Sequence, residues 1–128
     1  MARYIRWFYV GWLGIMVGAI VLQFYLAGYG VFAFNGLTGF GPHFLVGDLI
    51  GIASLVGIGL AFAARVPWRL TAMNGAIFVL MVIQFLLAHT GVQIISALHV
   101  INGILILGVT FNLTREASKL VLPARAPA

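Results

Sequence analysis

A bundle of four membrane-crossing α-helices is the fold this sequence predicts, and three observations carry that expectation. Hydrophobic residues make up 63% of the chain and charged ones only 7%, far below the roughly one quarter charged in soluble domains. The apolar residues fall into four runs, each near the ~20 residues a membrane-crossing helix needs. Third, every basic residue sits at one of three places: Arg3 and Arg6 before the first run, Arg65 and Arg69 between the second and third, and Arg115, Lys119 and Arg125 after the fourth. The connections 29–42 and 89–92 carry none. That alternation is the positive-inside asymmetry, and it predicts both termini in the cytoplasm. The formal charge of +5 therefore reads as a topology signal whose partners are anionic lipid headgroups, not nucleic acid.

The fold class is thus all-α: an up-down-up-down bundle, N-in and C-in, occupying residues 1–116, with a flexible cytoplasmic tail at 117–128. The first span is expected over 4–28, with Tyr4, Trp7, Tyr9 and Trp12 as headgroup-level anchors at its inner end and Tyr25 and Tyr29 at its outer end. The uncharged stretch from Trp7 to Phe34 is too long for the apolar region of a cleaved signal peptide, so it is read as a span. Gly14 and Gly18 make a small-xxx-small step on it that lets another backbone approach. Residues 29–42 hold four glycines and end at Pro42, which predicts a non-helical connection; Phe32, Phe34 and Phe40 keep it in the membrane interface. Pro42 suits the first turn of the second span, 42–64. Pro67 opens the third, 68–88, and the fourth covers 92–113.

The two halves share a pattern. Gln23-x-x-Leu26-Ala27 and His43-x-x-x-Gly47 recur as Gln84-x-x-Leu87-Ala88 and His99-x-x-x-Gly103, with Ser54 and Thr110 each eleven residues beyond their histidine on the same helix face. The repeat predicts two helical hairpins related by an approximate twofold axis along the membrane normal.

The polar residues within the spans are the candidate site. Gln23 counted from Arg6, Asp48 from Arg65, Gln84 from Arg69 and His99 from Arg115 all stand 15 to 17 residues from a basic residue on the same span. At about 1.5 Å per residue they form one layer roughly 24 Å from the inner boundary. Asn102 belongs to the same layer, and Asp48 is the single carboxylate within any span. The depth count pairs Asp48 with His99, whereas the repeat pairs His43 with His99, and the sequence leaves both open. The first reading of the layer is hydrogen-bonded glue between helices. The second is a b-type heme held by His43 and His99 as axial ligands from diagonal helices. His43, His89 and His99 have no HxxxH spacing, so no metal site is expected, and His89 is read as an interfacial residue ending its helix.

No catalytic residue is expected, because no nucleophile stands with a base and an orienting group, and the chain has no cysteine. A transport relay is not visible either, since the inner half offers only Asn74 and hydroxyls.

Gln23-x-x-Leu26-Ala27-Gly28, His43-x-x-x-Gly47, Gln84-x-x-Leu87-Ala88 and Leu98-His99-x-x-Asn102-Gly103 together resemble a family of small four-span bacterial membrane proteins of unknown function. That resemblance implies a bacterial cytoplasmic membrane and no activity. A superficial likeness to b561-type cytochromes lacks their second histidine pair. The functional expectation is a non-enzymatic integral membrane protein without a cofactor, either a self-associating bundle or an accessory subunit of a larger membrane assembly. Heme-b electron transfer is the alternative, and a lipid or quinone binder between the hairpins is a third reading.

Overall fold

The computed structural model describes residues 2–33 and 36–122 and is all-helical over them. In order, α1 spans Ala2–Phe32, a short 3-10 helix Gly36–Phe40, α2 Gly41–Ala63, α3 Trp68–Ala88, α4 Gln93–Ser96 and α5 Leu98–Ser118. Four helices, with α4 and α5 taken together, are long and apolar enough to cross a membrane. The helix α1 packs on α2 and α5, and α3 packs on the same two.

The first helix runs past the expected end at Gly28. Over its 31 residues it is about 46 Å long, more than a hydrocarbon core needs. Gly28 and Gly30 do not stop it, because Gly30 is where the ring of Phe40 lies against the helix: a methyl built there would come within 2.6 Å of that ring. The 3-10 helix thereby folds back on the end of α1. Pro42 stands in the first turn of α2, as the sequence predicts.

At its other end α2 closes with paired backbone bonds, Arg65 N–H to the Phe62 carbonyl and Val66 N–H to the Ala61 carbonyl. These are the two bonds of a Schellman turn, and they force Arg65 to φ +50°, a left-handed conformation that a side chain pays for. Arg6 helps hold it, with its guanidinium donating to the carbonyls of Ala64 and Arg65. Pro67 then caps α3.

The fourth apolar run differs from the single expected span in two ways. It begins as the one-turn α4, tightens at Ala97 and continues as α5 to Ser118, past the predicted end at Leu113. Thr110, Thr114 and Ser118 donate their hydroxyls to the carbonyls four residues back, so the polar end of α5 supplies its own partners. The predicted tail at 117–128 is therefore helical at its start, and residues 123–128 lie outside the described residues. So does Phe34.

Inward residues recur every three or four positions: Tyr9, Leu13, Met16 and Ile20 on α1; Ile50, Ser54, Gly57 and Ala61 on α2; Leu70, Asn74, Ile77 and Met81 on α3; Asn102, Ile106, Thr110, Leu113 and Ala117 on α5. Large apolar residues such as Ile15, Leu49, Val79 and Ile104 cover the outside, the reverse of a water-soluble bundle.

Tyr9 corrects the sequence reading that made it a headgroup anchor. It is fully buried, because it stands one turn before Leu13 on the inward stripe, and its hydroxyl accepts a 2.6 Å bond from Asn74 Nδ2. The same nitrogen donates to the Leu70 carbonyl at 2.9 Å. Asn74 in turn lies over Gly57 of α2, where an added methyl would meet its Oδ1 at 3.0 Å.

Gly57 and Gly59 give a paired test of this packing. Gly57→Leu should destabilise the protein by about 1–3 kcal/mol through overpacking. Gly59→Leu, with nothing within 4 Å of the new Cβ, should stay within about 0.5 kcal/mol of the parent. Unfolding by SDS titration in mixed micelles, followed by helical circular dichroism, reads both.

Candidate functional site

The polar residues converge on one cleft of about 350 Å³ between the four long helices. Each helix contributes by the same spacing. The floor is Ile20, Ile50, Met81 and Ile106, all buried. Three residues further from it along each helix come Gln23, Gly47, Gln84 and Gly103, and four beyond those Ala27, His43, Ala88 and His99. Phe24, Phe44, Asp48, Phe85, His89 and Val100 complete the lining. Steps of three and four keep each set on one helix face, which is why such an apolar chain can place its few polar groups together.

In the layer of Gln23, Gly47, Gln84 and Gly103 each glutamine amide faces a glycine. The Gln23 amide lies over Gly47, where a methyl would meet its Nε2 at 2.8 Å. The Gln84 amide lies over Gly103, with Nε2 at 3.5 Å. A larger residue at 47 would push the Gln23 side chain out of the bundle.

The hydrogen bonds assign the protons. Asn102 Nδ2 donates to the Leu80 carbonyl at 2.9 Å and to Gln84 Oε1 at 2.7 Å. Since Oε1 is thereby the acceptor, Gln84 Nε2 must be the donor in its 3.4 Å contact with His99 Nε2. Neutral His99 then carries its hydrogen on Nδ1, which is buried without a hydrogen-bond partner. His43 is better served: its Nδ1 donates to the Gln23 carbonyl at 3.2 Å, leaving Nε2 as a lone pair. The Gln23 Oε1 atom is buried and unpartnered.

The structure brings together Gln84, His99 and Asn102 in one chain of bonds and places His43 beside them. The His43 and His99 rings meet edge to face with centroids 6.0 Å apart. His43, not Asp48, is thus the neighbour of His99. The depth count fails because its reference points differ in height: Arg65 lies beyond the end of α2, while Arg115 lies inside α5. Asp48 stands apart, exposed on the cleft's lining, with no hydrogen bond or ion pair among the described residues. His89 caps α3 with its Nδ1 donating to the Phe85 carbonyl at 2.7 Å, and it too faces the cleft. Sequence reasoning missed Phe85, whose ring lies within 2.8 Å of a methyl built at Gly51. The repeat contained the signal, since Phe85 follows Gln84 as Phe24 follows Gln23.

A heme held by His43 and His99 needs one free lone pair from each ring. His43 has one at Nε2. On His99 the Nε2 atom faces the Gln84 amide at 3.4 Å, so in this arrangement only His43 presents an Nε2 without a partner. Among the described residues no three of His, Cys, Asp and Glu group closely enough to hold a metal ion.

These features define a class: a small protein, all-helical over the described residues, with four helices long and apolar enough to cross a membrane and a largely apolar cleft between them that holds a few polar side chains. Residues 23–91, more than half of the chain, match the family of unknown function DUF6220, and the protein belongs to that family. The match includes Gln23, His43, Asp48 and Gln84 of the cleft and ends before His99. No curated protein and no solved structure matches the chain.

Asn102→Leu should remove the donor to Gln84 Oε1 and lower the unfolding free energy by about 1–2 kcal/mol. In a Gln84→Leu background the same change should cost less than half as much, and a double-mutant cycle measured by SDS titration reads that coupling.

Proposed function

We propose that this protein is a non-enzymatic integral membrane bundle that works by packing against other membrane chains, as an accessory subunit or as a self-associating unit. In this reading it crosses a bacterial cytoplasmic membrane up-down-up-down with both termini inside. The alternating basic connections support that orientation. Register supports the up-down course: Arg6 near the start of α1 reaches the carbonyls beyond the end of α2, while Gln23, farther along α1, lies over Gly47 near the start of α2. The cleft supports the twofold relation of two hairpins, since Ile20, Gln23, Phe24 and Ala27 correspond to Met81, Gln84, Phe85 and Ala88, and His43, Gly47 and Ile50 to His99, Gly103 and Ile106.

One observation carries the packing role. Gly11, Gly14 and Gly18 of α1 have nothing within 4 Å of where a side chain would begin, so a smooth strip of backbone is turned away from the bundle's own core. Inside a bilayer, where apolar surface alone drives no association, such strips are where helices of separate chains approach.

Two experiments test the proposal. The chain has no cysteine, so single cysteines report sidedness without background. Thr90→Cys should label with an impermeant maleimide in intact cells, and Arg69→Cys only after permeabilisation; the opposite result would reverse the orientation. For the packing role, protein extracted in mild detergent should migrate above its 13.8 kDa monomer on native gels. Combined Gly14→Leu and Gly18→Leu should return it to the monomer with its helicity unchanged. A parent protein that is already monomeric, and that does not cross-link in cells, would sink the idea.

A further inference from the structure

The cleft has an asymmetry that packing between chains does not use. Asn102 supplies the donor that satisfies Gln84 Oε1, but the position corresponding to Asn102 on the other hairpin is Val46, an apolar residue. Gln23 Oε1 is consequently buried with an empty lone pair, although the same amide on the other side is fully engaged. Position 48 breaks the correspondence a second time. Its counterpart is Ile104, exposed on the lipid-facing side, whereas here stands the single carboxylate of the spans. Both departures fall on α2 and leave acceptors unanswered: a carboxylate and an amide oxygen lining one cavity.

The described basic residues do not answer them: Arg3, Arg6, Arg65, Arg69, Arg115 and Lys119 all belong to the opposite ends of the helices, and Asp48 makes no ion pair among the described residues. The titratable groups that share the cleft are His43, His89 and His99. The Nδ1 of His43 and of His89 is committed to a backbone carbonyl, and His99 Nε2 to Gln84. A carboxylate within a membrane span is costly unless a cation or water meets it. The rest of the wall is apolar and aromatic, with Phe24, Phe44 and Phe85 presenting rings, and the volume lies within the range of small-molecule sites.

We propose that the cleft binds an organic ammonium carried on an apolar body. The nitrogen pairs with Asp48 and directs an N–H to Gln23 Oε1, and the body lies against the three phenylalanine rings, whose faces also attract the cation. An alkali metal ion would leave the apolar wall unused, and a neutral quinone would leave the carboxylate unpaired. The ammonium comes either from a free lipophilic amine or from the headgroup of phosphatidylethanolamine. This inference stands whether or not the chain associates with others.

The test uses the full-length protein in nanodiscs of phosphatidylglycerol with dansylcadaverine, a fluorescent primary amine, and its N-acetyl derivative, which keeps the body and loses the charge. Expected are saturable binding of the amine above empty nanodiscs, at least tenfold weaker binding of the acetyl form, a tenfold or greater loss on Asp48→Asn and a several-fold loss on Gln23→Met. Circular dichroism and gel filtration establish that each variant is folded. A lower apparent affinity in nanodiscs containing phosphatidylethanolamine identifies the lipid as the ammonium's source, and an unchanged one identifies a free amine. The proposal is overturned if folded Asp48→Asn binds as the parent does, if the acetyl form binds equally well, if decylubiquinone displaces the amine with an affinity independent of Asp48, or if no saturable binding occurs.

Discussion

An amide on one helix laid over a glycine on its neighbour is the contact on which this bundle's interior depends. It occurs three times, with Gln23 over Gly47, Asn74 over Gly57 and Gln84 over Gly103. The physical requirement behind it is simple. Inside a bilayer no water satisfies a primary amide, so the group must reach a partner on another helix, and the glycine lets two backbones come close enough for it to do so. At Gly47 and Gly57 the fit is tight, since even a methyl would lie within 3.0 Å of an amide atom; at Gly103 the contact is ordinary. The looser contact belongs to Gln84, whose amide is already fixed by Asn102 and His99. Where hydrogen bonds define the side chain's position, steric confinement is less needed.

The balance of polar groups differs along the bundle. At the end carrying the basic residues, Tyr9, Asn74, Ser54 and Thr110 are all buried and all hydrogen-bonded, the hydroxyls of Ser54 and Thr110 to their own helices. Among the described residues no fully buried side-chain nitrogen or oxygen at that end is without a partner. Beyond the floor of Ile20, Ile50, Met81 and Ile106 the accounting no longer closes, with Gln23 Oε1 and His99 Nδ1 lacking partners and Asp48 unpaired. Unsatisfied buried groups cost about 1–3 kcal/mol each, so a chain that leaves such groups on both sides of one cleft has stability to gain from a ligand.

Much of the fold was legible because it rests on signals that need no tertiary information. Four apolar runs fix the helices, and Pro42 and Pro67 mark two starts to within a residue. The helix ends were less readable. Gly30 looks like a breaker until Phe40 is seen packing on it, and nothing local announces that Arg65 will take a left-handed conformation. Within the site, periodicity brought Gln23, Gln84, His99 and Asn102 to one region. It could not decide between His43 and Asp48, because helices of unequal length have no common zero from which to count depth. Tyr9 was misjudged for a related reason: aromatic residues near a basic end suggest the interface, and only the three- and four-residue spacing to Leu13 and Met16 reveals the inward face.

The position of the floor bears on what the cleft can do. All three histidines and Asp48 lie on one side of it, and on the other side no described inward-facing group of the core ionises near neutral pH. Ser54 and Thr110, one turn beyond the floor, donate their hydroxyls to their own helices, and Tyr9 and Asn74 are joined to each other about four helical turns along α1 from Gln23. A proton or ion entering the cleft would first meet the apolar side chains of Ile20, Ile50, Met81 and Ile106, none of which offers a hydrogen-bond acceptor. A molecule with a large apolar part loses nothing at such a floor, because the isoleucines and Met81 complete its solvation while its polar end stays with Gln23 and Asp48. The arrangement therefore favours holding an amphipathic molecule at one depth over passing a small ion through, and the same four residues that close the core decide between the two.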